Sequence, residues 1–379
     1  MADRYPQEYD SIRPYSEEEL PLALQRIVGC PDFDIVSRFV YPDSDPADVK
    51  NRLLAIASID ELQTTIMYDG ISRIIDTSIT RLTSDGADRL DPALSYLFVS
   101  NHRDIVLDAF LLQYILHEYG LPLCQITFGA NLMKHPLVIE LGRINKMFRV
   151  ERGGAMRSFY SSMALVSSYM RYCITGRHES VWIAQRNGRT KNGMDATEPS
   201  LLKMFAGSGD MKDLVANISE LNIVPVSVSY EWEPCDKFKA RELLMTVGGV
   251  YHKEENEDLW SIVTGLLQPK GEVHISVRKP VSHDDLCGYD ASRDGAFFKW
   301  FASLVDSRIY AGYRLRANNY IAYDLREGSS RFADRYDAAE RERFVAHLDS
   351  CCSSTGLDIR HIMLDIYANP VTTVLAATL

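Results

Sequence analysis

The stretch LSYLFVSNHRDIVLD, which runs from Leu94 to Asp108, changes from apolar to polar and back to apolar. Its first half is a short apolar run that ends at Ser100, a pattern typical of a buried β-strand. A polar loop follows, and the apolar residues between Ile105 and Tyr119 then favour a helix. A strand that leads through a polar loop into a helix is the building unit of α/β domains, so this stretch predicts that class of fold.

The same alternation of strand and helix patterns continues through the middle of the chain. Further strands are predicted at Leu123–Phe128, Met147–Val150, Ser180–Ala184, Asn222–Tyr230 and Gly271–Arg278, with a helix at Phe159–Tyr172. We therefore expect an α/β fold with a mixed, largely parallel sheet flanked by helices over residues 91–285. Residues 1–90 are predicted to form an N-terminal helical bundle, and residues 286–379 a C-terminal helical region.

The composition is that of a folded protein with an acidic balance. Of 379 residues, 46% are hydrophobic and 25% are charged, and the net charge is -11. Because nucleic-acid binding needs a basic surface, nucleic acid is excluded as an expected partner. The N-terminus lacks a signal-peptide pattern, and no window reaches the roughly 18 apolar residues of a spanning helix. We expect a cytoplasmic protein that is either soluble or peripheral to the inner face of the membrane.

The seven cysteines are scattered, which fits reduced thiols rather than a disulfide framework. Cys351 and Cys352 are adjacent, but no Cys or His spacing around them predicts a zinc site. The sequence analysis therefore expects no metal.

The polar loop that follows Ser100 contains the best candidate for catalysis. In open α/β sheets, ligands bind where strands end and helices begin, and His102 lies at such a junction. A carboxylate on the first turn of the helix, Asp104 or Asp108, would fix the imidazole tautomer and make His102 a general base. The alternative is structural: Asn101 or Asp104 caps the helix, and His102 faces solvent.

Two basic segments further along the chain fit a phosphate-bearing substrate. The first, from Met147 to Arg152, ends in Arg149, Glu151 and Arg152, and the second, from Gln185 to Lys191, follows a predicted strand. Arginine and lysine side chains in a loop bind phosphate well, although an isolated loop of this kind is more often a solvated turn. The candidate residues of the second segment are Gln185, Arg186, Gly188, Arg189 and Lys191.

These segments, followed by Val224-Pro225-Val226, resemble the four sequence blocks of the glycerol-3-phosphate and lysophospholipid acyltransferase superfamily. The resemblance covers roughly residues 95–235 and not the N-terminal helices. The first block of the family is Asn-His, four residues and Asp, which here corresponds to Asn101, His102 and Asp108 with five residues between His and Asp. Asp104 therefore competes with Asp108 for the orienting role.

The remaining three blocks are matched less evenly. The second block aligns with Val150, Glu151 and Arg152, and the fourth, an aliphatic residue and proline in a strand, with Val224 and Pro225. In the third block, Gln185 stands where the family has Glu, and the loop is one residue longer. Because Gln cannot form an ion pair with an Arg, this change puts the acceptor in doubt more than the reaction.

The resemblance implies an acyltransferase that moves groups other than aminoacyl groups, in phospholipid biosynthesis. His102 would deprotonate an acceptor hydroxyl that attacks the thioester of acyl-CoA or acyl-carrier protein, the cosubstrate. Backbone N–H groups of residues 103–105 would stabilise the oxyanion, and the candidate substrate-binding set would hold a glycerol-phosphate or lysophospholipid acceptor. That set comprises Asn101, Arg103, Arg149, Glu151, Arg152, Gln185, Arg186, Gly188, Arg189, Lys191 and Pro225.

The resemblance also implies a site for the acyl chain and leaves alternative functions open. The acyl chain would lie in an apolar groove floored by Phe128, Met133 and Met147, and no cofactor is expected. Three alternatives remain: an acceptor that is an amino-acid-containing lyso-lipid, a hydrolase, or a non-catalytic lipid- or protein-binding relative. The hydrolase alternative lacks a Gly-x-Ser-x-Gly elbow near a strand end.

Overall fold

The centre of the protein is a seven-stranded sheet with strand order β1-β7-β6-β2-β5-β3-β4. The structure is a computed structural model that describes residues 5–151, 156–246, 249, 251, 254, 257–289 and 294–378. The strands are β1 (Ile79–Asp85), β2 (Leu97–Ser100), β3 (Gln125–Gly129), β4 (Met147–Val150), β5 (Val181–Ala184), β6 (Ile223–Tyr230) and β7 (Gly271–Val277). Five neighbouring pairs are parallel, and β6 pairs with β7 in the antiparallel direction. The predicted mixed, largely parallel sheet is confirmed.

β2 is the strand around which the site is built, because it lies between β5 and β6. Ser100, its last residue, is opposite Ala184 in β5 and Val226 in β6. All three strands run in the same direction, so the loops that follow β2 and β5 leave the sheet at one edge. β6 continues four residues beyond Val226 and reaches past this edge to Tyr230.

The side chains of β2 alternate between two apolar cores, as the period of two residues in a strand requires. Leu97 and Val99 belong to the core beneath the helices at residues 156–171 and 294–312, whereas Phe98 belongs to the core beneath the helix at residues 107–118. Both faces of β2 are therefore covered, which is the reason that its sequence is continuously apolar.

The N-terminal region differs from the prediction at one point. Its helices are α1 (Leu20–Val28), α2 (Phe33–Val40), α3 (Pro46–Leu54), α4 (Ile59–Leu62) and α5 (Tyr68–Ser78). The sequence predicts helices up to about residue 90, but residues 79–85 form β1 and extend the sheet beyond the expected core. β1 pairs only with β7, nearly two hundred residues away, and most of its residues are partly exposed. An exposed strand whose partner is distant in the sequence shows no apolar strand pattern, so the sequence does not predict β1.

The helices of the central region cover the two faces of the sheet. They are α6 (Leu107–Glu118), α7 (Pro136–Ile144), α8 (Met156–Arg171), α9 (Pro199–Ala206), α10 (Leu214–Ser219), α11 (Asp236–Thr246) and α12 (Glu257–Leu267). Phe128 and Met147 lie with α6 in one apolar core, and Met133 packs at its edge.

The C-terminal region is helical, as the sequence predicted. Its helices are α13 (His283–Cys287), α14 (Asp294–Gly312), α15 (Ala317–Glu327), α16 (Ala338–Thr355) and α17 (Arg360–Thr378). A separate apolar cluster joins α15, α16 and α17 to α11. Over the part of the chain that the structure describes, none of the helices combines the length and apolarity that crossing a bilayer would require.

Candidate active site

His102 and Asp108 form a buried pair at the carboxyl end of β2. The imidazole Nδ1 lies 2.9 Å from Asp108 Oδ2, and His102 is 5% exposed. A carboxylate at Nδ1 favours the tautomer that carries its proton there, which leaves the lone pair on Nε2. The ring also meets Trp182 of β5 edge-on, with 5.7 Å between the ring centroids. This is the arrangement of a general base with an orienting carboxylate.

Asp108 is held by donors from three directions. Its Oδ2 accepts the backbone N–H groups of Arg103 at 2.6 Å and Asp104 at 2.9 Å, in addition to His102. Its Oδ1 accepts the Tyr230 hydroxyl at 2.7 Å. The carboxylate is therefore fixed in position as well as buried. The N–H groups of residues 103 and 104 are occupied by it, so the prediction that they stabilise an oxyanion does not fit this geometry.

Asp104 has a different role from the one the sequence left open. Its Oδ1 accepts the backbone N–H groups of Val106 at 3.0 Å and Leu107 at 2.8 Å, which caps the start of α6. Its Oδ2 faces α12, where a Cβ on Gly265 would lie 2.1 Å from it. The structure therefore places Asp104 as a helix cap against α12, and Asp108 beside the imidazole.

Asn101 uses its amide to join two strands rather than to face a substrate. Its Oδ1 accepts the backbone N–H of Val228 at 2.7 Å, and its Nδ2 donates to the Val228 carbonyl at 2.9 Å. The side chain is fully buried. Substrate binding by Asn101 is therefore replaced by a structural role, in which the amide extends the pairing of β2 and β6 by one step.

Arg103 is likewise buried in a network of charges and is not free to bind phosphate. Its guanidinium donates to Asp195 at 2.6 Å and to Glu233 at 3.1 Å. Lys239 of α11 contacts Glu233 at 2.5 Å and donates to the Arg103 carbonyl at 2.7 Å. Burial lowers the pKa of Arg103, but Asp195 and Glu233 outweigh it and raise this pKa well above its ordinary value. Arg103, Asp195, Glu233 and Lys239 together are called the buried charge network.

The loop that follows β5 is attached directly to the dyad loop. The Gln185 N–H donates to the Ser100 carbonyl at 2.8 Å, and the Thr190 N–H donates to the His102 carbonyl at 2.7 Å. Gln185 is fully buried, and its Oε1 accepts the Thr197 hydroxyl at 3.2 Å. Gln185 thus packs at the base of the loop, and its Nε2 has no hydrogen-bond partner among the described residues.

The other residues of this loop include donors that the protein does not use. Arg186 Nε and Arg189 Nη1 are buried and have no hydrogen-bond partner among the described residues. Gly188 between them has a φ of 74°, a conformation that favours glycine. Lys191 instead forms an ion pair with Glu242 of α11. Of the three predicted cations in the loop, Arg186 and Arg189 thus each have a guanidinium nitrogen without a hydrogen-bond partner among the described residues.

The second and fourth predicted segments contribute less to the site. Arg149 is 48% exposed in its side chain and forms an ion pair with Glu151 at 2.7 Å. Arg152 lies outside the described residues. Pro225 is buried in β6, opposite Val99, and belongs to the core rather than to a substrate surface.

Sequence reasoning missed several side chains that complete the site. Tyr230 and Trp182 contact the dyad, and Asp195, Glu233 and Lys239 form the buried charge network. Tyr230 had a signal, because it is the last residue of a predicted strand at the functional edge of the sheet. The charged residues had none, because each of them contacts Arg103, which lies 90 or more positions away in the sequence.

Part of the chain is similar to known acyltransferases. Residues 81–229 match the family model described as Acyltransferase. The dihydroxyacetone phosphate acyltransferase of Bos taurus is 24% identical over 208 residues, which cover 54% of this chain and 29% of that protein. The chain thus aligns with less than a third of this curated relative.

A comparison with solved structures found the crystal structure of the 1-acyl-sn-glycerophosphate (LPA) acyltransferase of Thermotoga maritima. It is 13% identical in sequence, and the alignment covers 76% of this chain and 92% of that chain, with a TM-score of 0.39.

Proposed function

We propose that the chain transfers a fatty acyl group from a thioester to a lipid-precursor hydroxyl, because residues 81–229 match the family model described as Acyltransferase. The donor is acyl-CoA or acyl-carrier protein, and the acceptor is of the glycerol-phosphate or lysophospholipid type. The observation that carries the proposal is the contact of 2.9 Å between His102 Nδ1 and Asp108 Oδ2 at the carboxyl end of β2. It leaves Nε2 as the base that this reaction requires.

The proposed reaction has two proton transfers and no covalent enzyme intermediate. His102 Nε2 takes the proton of the acceptor hydroxyl while the hydroxyl oxygen attacks the thioester carbonyl. The tetrahedral intermediate then expels the thiolate, which takes the proton back from the imidazolium and leaves as the thiol. Asp108 orients the ring and stabilises its transient positive charge, as an orienting carboxylate does. The products are the acyl ester and the free thiol of the donor.

The unused guanidinium donors support a phosphate-bearing acceptor. Arg186 and Arg189 lie on the loop whose Thr190 N–H donates to the His102 carbonyl, so this loop is attached directly to the loop that carries His102. Burial lowers the pKa of Arg189, but Cys235 and Asp104 outweigh it and raise this pKa. The guanidinium therefore stays charged, and a phosphate would satisfy donors that the described residues leave unpaired.

Membrane contact through α12 would bring the lipid acceptor to this site. Leu259, Trp260 and Leu267 of α12 are 47%, 64% and 58% exposed. The opposite side of the helix meets Asp104 at Gly265. Exposed aliphatic and aromatic side chains on one helix are typical of insertion into the interfacial layer of a bilayer. A bilayer bound by α12 would lie one helix away from the dyad.

An acceptor panel tests the proposed function. Purified protein is incubated with labelled acyl-CoA or acyl-carrier protein and with glycerol 3-phosphate, a lysophosphatidate or an amino-acid-containing lyso-lipid, and the lipid products are separated. We expect acylation of a phosphate-bearing acceptor. Acylation of the amino-acid lipid alone would contradict the proposed acceptor, and the absence of any acylated product would contradict the function.

Membrane contact is tested by sedimentation with vesicles that contain phosphatidate. Trp260→Ser is expected to weaken vesicle binding roughly tenfold, because less apolar surface enters the bilayer. Ile35→Ser is the matched control, since Ile35 is 69% exposed on α2. Equal binding by the parent and Trp260→Ser would contradict docking through α12.

A further inference from the structure

Three side chains with metal-binding atoms converge away from the dyad. They are Asp236 at the start of α11 and His347 and Cys351 on α16, and one ligand atom from each lies within 4.8 Å of the other two. His347 Nε2 is 2.6 Å from Asp236 Oδ2 and 3.6 Å from Cys351 Sγ. Both partners therefore approach the same ring nitrogen.

This shared nitrogen distinguishes the cluster from a nucleophile triad. In a triad, the carboxylate binds one imidazole nitrogen and the nucleophile binds the other. Here one imidazole nitrogen lies 2.6 Å from the carboxylate and 3.6 Å from the thiol, so an ion in place of the shared proton would meet one ligand atom from each residue. A tetrahedral ion with bonds of about 2.0–2.3 Å would separate such atoms by roughly 3.3–3.7 Å. The His347–Cys351 separation already fits, and Asp236 needs to retreat by about 1 Å.

The chain holds these ligands in place from both sides. His347 and Cys351 are four residues apart on α16, so both project from the same face of the helix. Asp236 Oδ2 also accepts the hydroxyl of buried Tyr367 at 2.7 Å, and Oδ1 accepts the Lys237 N–H at 2.7 Å. Hydrogen bonds to a ligating carboxylate are the usual second layer of a metal site.

A cavity beside the cluster leaves room for a fourth ligand. It has a volume of about 420 Å³, and its walls include all three ligand residues together with Trp232, Lys237 and Gln268. We propose that Asp236, His347 and Cys351 bind a zinc ion, with water or a small ligand from the cavity in the fourth position. A thiolate and an imidazole favour zinc over the hard ions magnesium and calcium, which take oxygen ligands.

The ion would join two parts of the fold near the dyad. Asp236 belongs to α11, whose Lys239 donates to the Arg103 carbonyl, whereas His347 and Cys351 belong to the C-terminal helices. Zinc bound between α11 and α16 would fix the C-terminal helices against the element that supports the buried charge network. The inference does not depend on acyl transfer, so its failure and the failure of the proposed function are separate results.

Cobalt titration of the full-length, metal-stripped protein tests the site. Co²⁺ is expected to bind at one equivalent, with a thiolate-to-cobalt charge-transfer band in the near ultraviolet and the visible bands of a tetrahedral ion. Zinc should displace it. Cys351→Ser should lose the charge-transfer band and bind zinc roughly a hundredfold or more weakly. The matched control, Cys352→Ser, changes the neighbouring thiol and should behave like the parent.

A second measurement requires no variant and covers the case in which Cys351→Ser fails to fold. Alkylation of the parent protein, located by peptide mass spectrometry, should modify Cys351 more slowly when zinc is present. Cys352 should show no such protection. The proposal is overturned if the parent gives no charge-transfer band, if Cys351→Ser folds and retains the band, or if zinc leaves the alkylation of Cys351 unchanged.

Discussion

The pairing of His102 with Asp108 depends on where α6 begins. Five residues separate the two side chains, and α6 starts at Leu107. Asp108 therefore lies in the first turn of the helix, and its carboxylate reaches back to the N–H groups of residues 103 and 104. The loop before α6 accommodates the extra residue between His102 and Asp108, because Asp104 lies in this loop and caps the helix.

This division of roles between the two aspartates predicts different effects of the same substitution. Asp108→Asn should lower kcat by about 10²–10⁴-fold, because an amide cannot accept all four donors and stabilise the imidazolium. Asp104→Asn keeps an oxygen that can cap α6, so its kcat should stay within about tenfold of the parent and its stability within about 1 kcal/mol. Steady-state kinetics and urea denaturation of both variants check this prediction. A larger loss of kcat in Asp104→Asn would reverse the assignment.

At the scale of the residue, the sequence predicts His102 as the base and leaves two aspartates as its possible partner. His102 could be located because it follows a recognisable strand. The choice between Asp104 and Asp108 could not be made, since it depends on the starting point of α6 and on the position of Tyr230. Arg103 and Asn101 were misassigned to the substrate because their partners Asp195, Glu233 and Val228 are distant in sequence.

At the scale of the elements, β1 and β7 form one end of the sheet. These two strands run antiparallel to the other five. His274 of β7 is buried between them, with Nδ1 at 2.9 Å from the Thr83 hydroxyl and Nε2 at 3.4 Å from Asp85. Burial, assisted by the nearby Arg314, lowers the pKa of His274 to about 4, although Asp85 opposes this shift. The folded protein therefore keeps this imidazole neutral at pH values where the unfolded chain protonates it.

The depressed pKa of His274 predicts a loss of stability in mild acid. Above the unfolded pKa of about 6.5, His274 is neutral in both states and its contribution is constant. As the pH falls from 6.5 to about 4, the unfolded chain takes up the proton first, and the free energy of unfolding should fall by up to about 3 kcal/mol. Urea denaturation at several pH values measures this. His274→Gln should flatten the pH dependence in that window, and an unchanged slope would contradict the assignment.

The sequence was sufficient for six of the seven strands but not for β1. The strands β2 to β7 lie within the predicted ranges or within one residue of them. Their apolar or alternating residues reflect burial on one or both faces. β1 is an edge strand with exposed charged and hydroxyl side chains, so its pairing with β7 is decided by tertiary contacts that no local pattern records.

Over the whole molecule, the buried charge network connects parts of the chain that meet only after folding. Arg103 from the dyad loop, Asp195 from the loop after β5, Glu233 beyond β6 and Lys239 of α11 are each at most 5% exposed. Removal of one member leaves the others buried with unpaired charge, which is costly in a low-dielectric interior.

Arg103→Met should therefore destabilise the protein by roughly 3–5 kcal/mol. Arg149→Met is the matched control, because it removes an exposed ion pair with Glu151 that contributes about 1 kcal/mol or less. Urea denaturation measures both variants. Equal stability of the two variants would show that the network contributes no more than a surface pair.

The contact of Asp236 with His347 and Cys351 could not be predicted from the sequence. No metal is predicted from the sequence, because the short Cys and His spacings of a zinc site are absent around Cys351 and Cys352. In the proposed zinc site, Asp236 comes from 111 residues away, and it approaches His347 and Cys351 only when α11 packs against α16.

The rate of acyl transfer by His102→Ala tests the central claim most directly. The parent, His102→Ala and His283→Ala are compared with the acceptor that the parent acylates; His283 is a surface histidine whose side chain is 60% exposed. We predict that His102→Ala loses about 10²–10⁴-fold in kcat, whereas His283→Ala retains the rate of the parent. A folded His102→Ala variant that transfers acyl groups as fast as the parent would contradict the account.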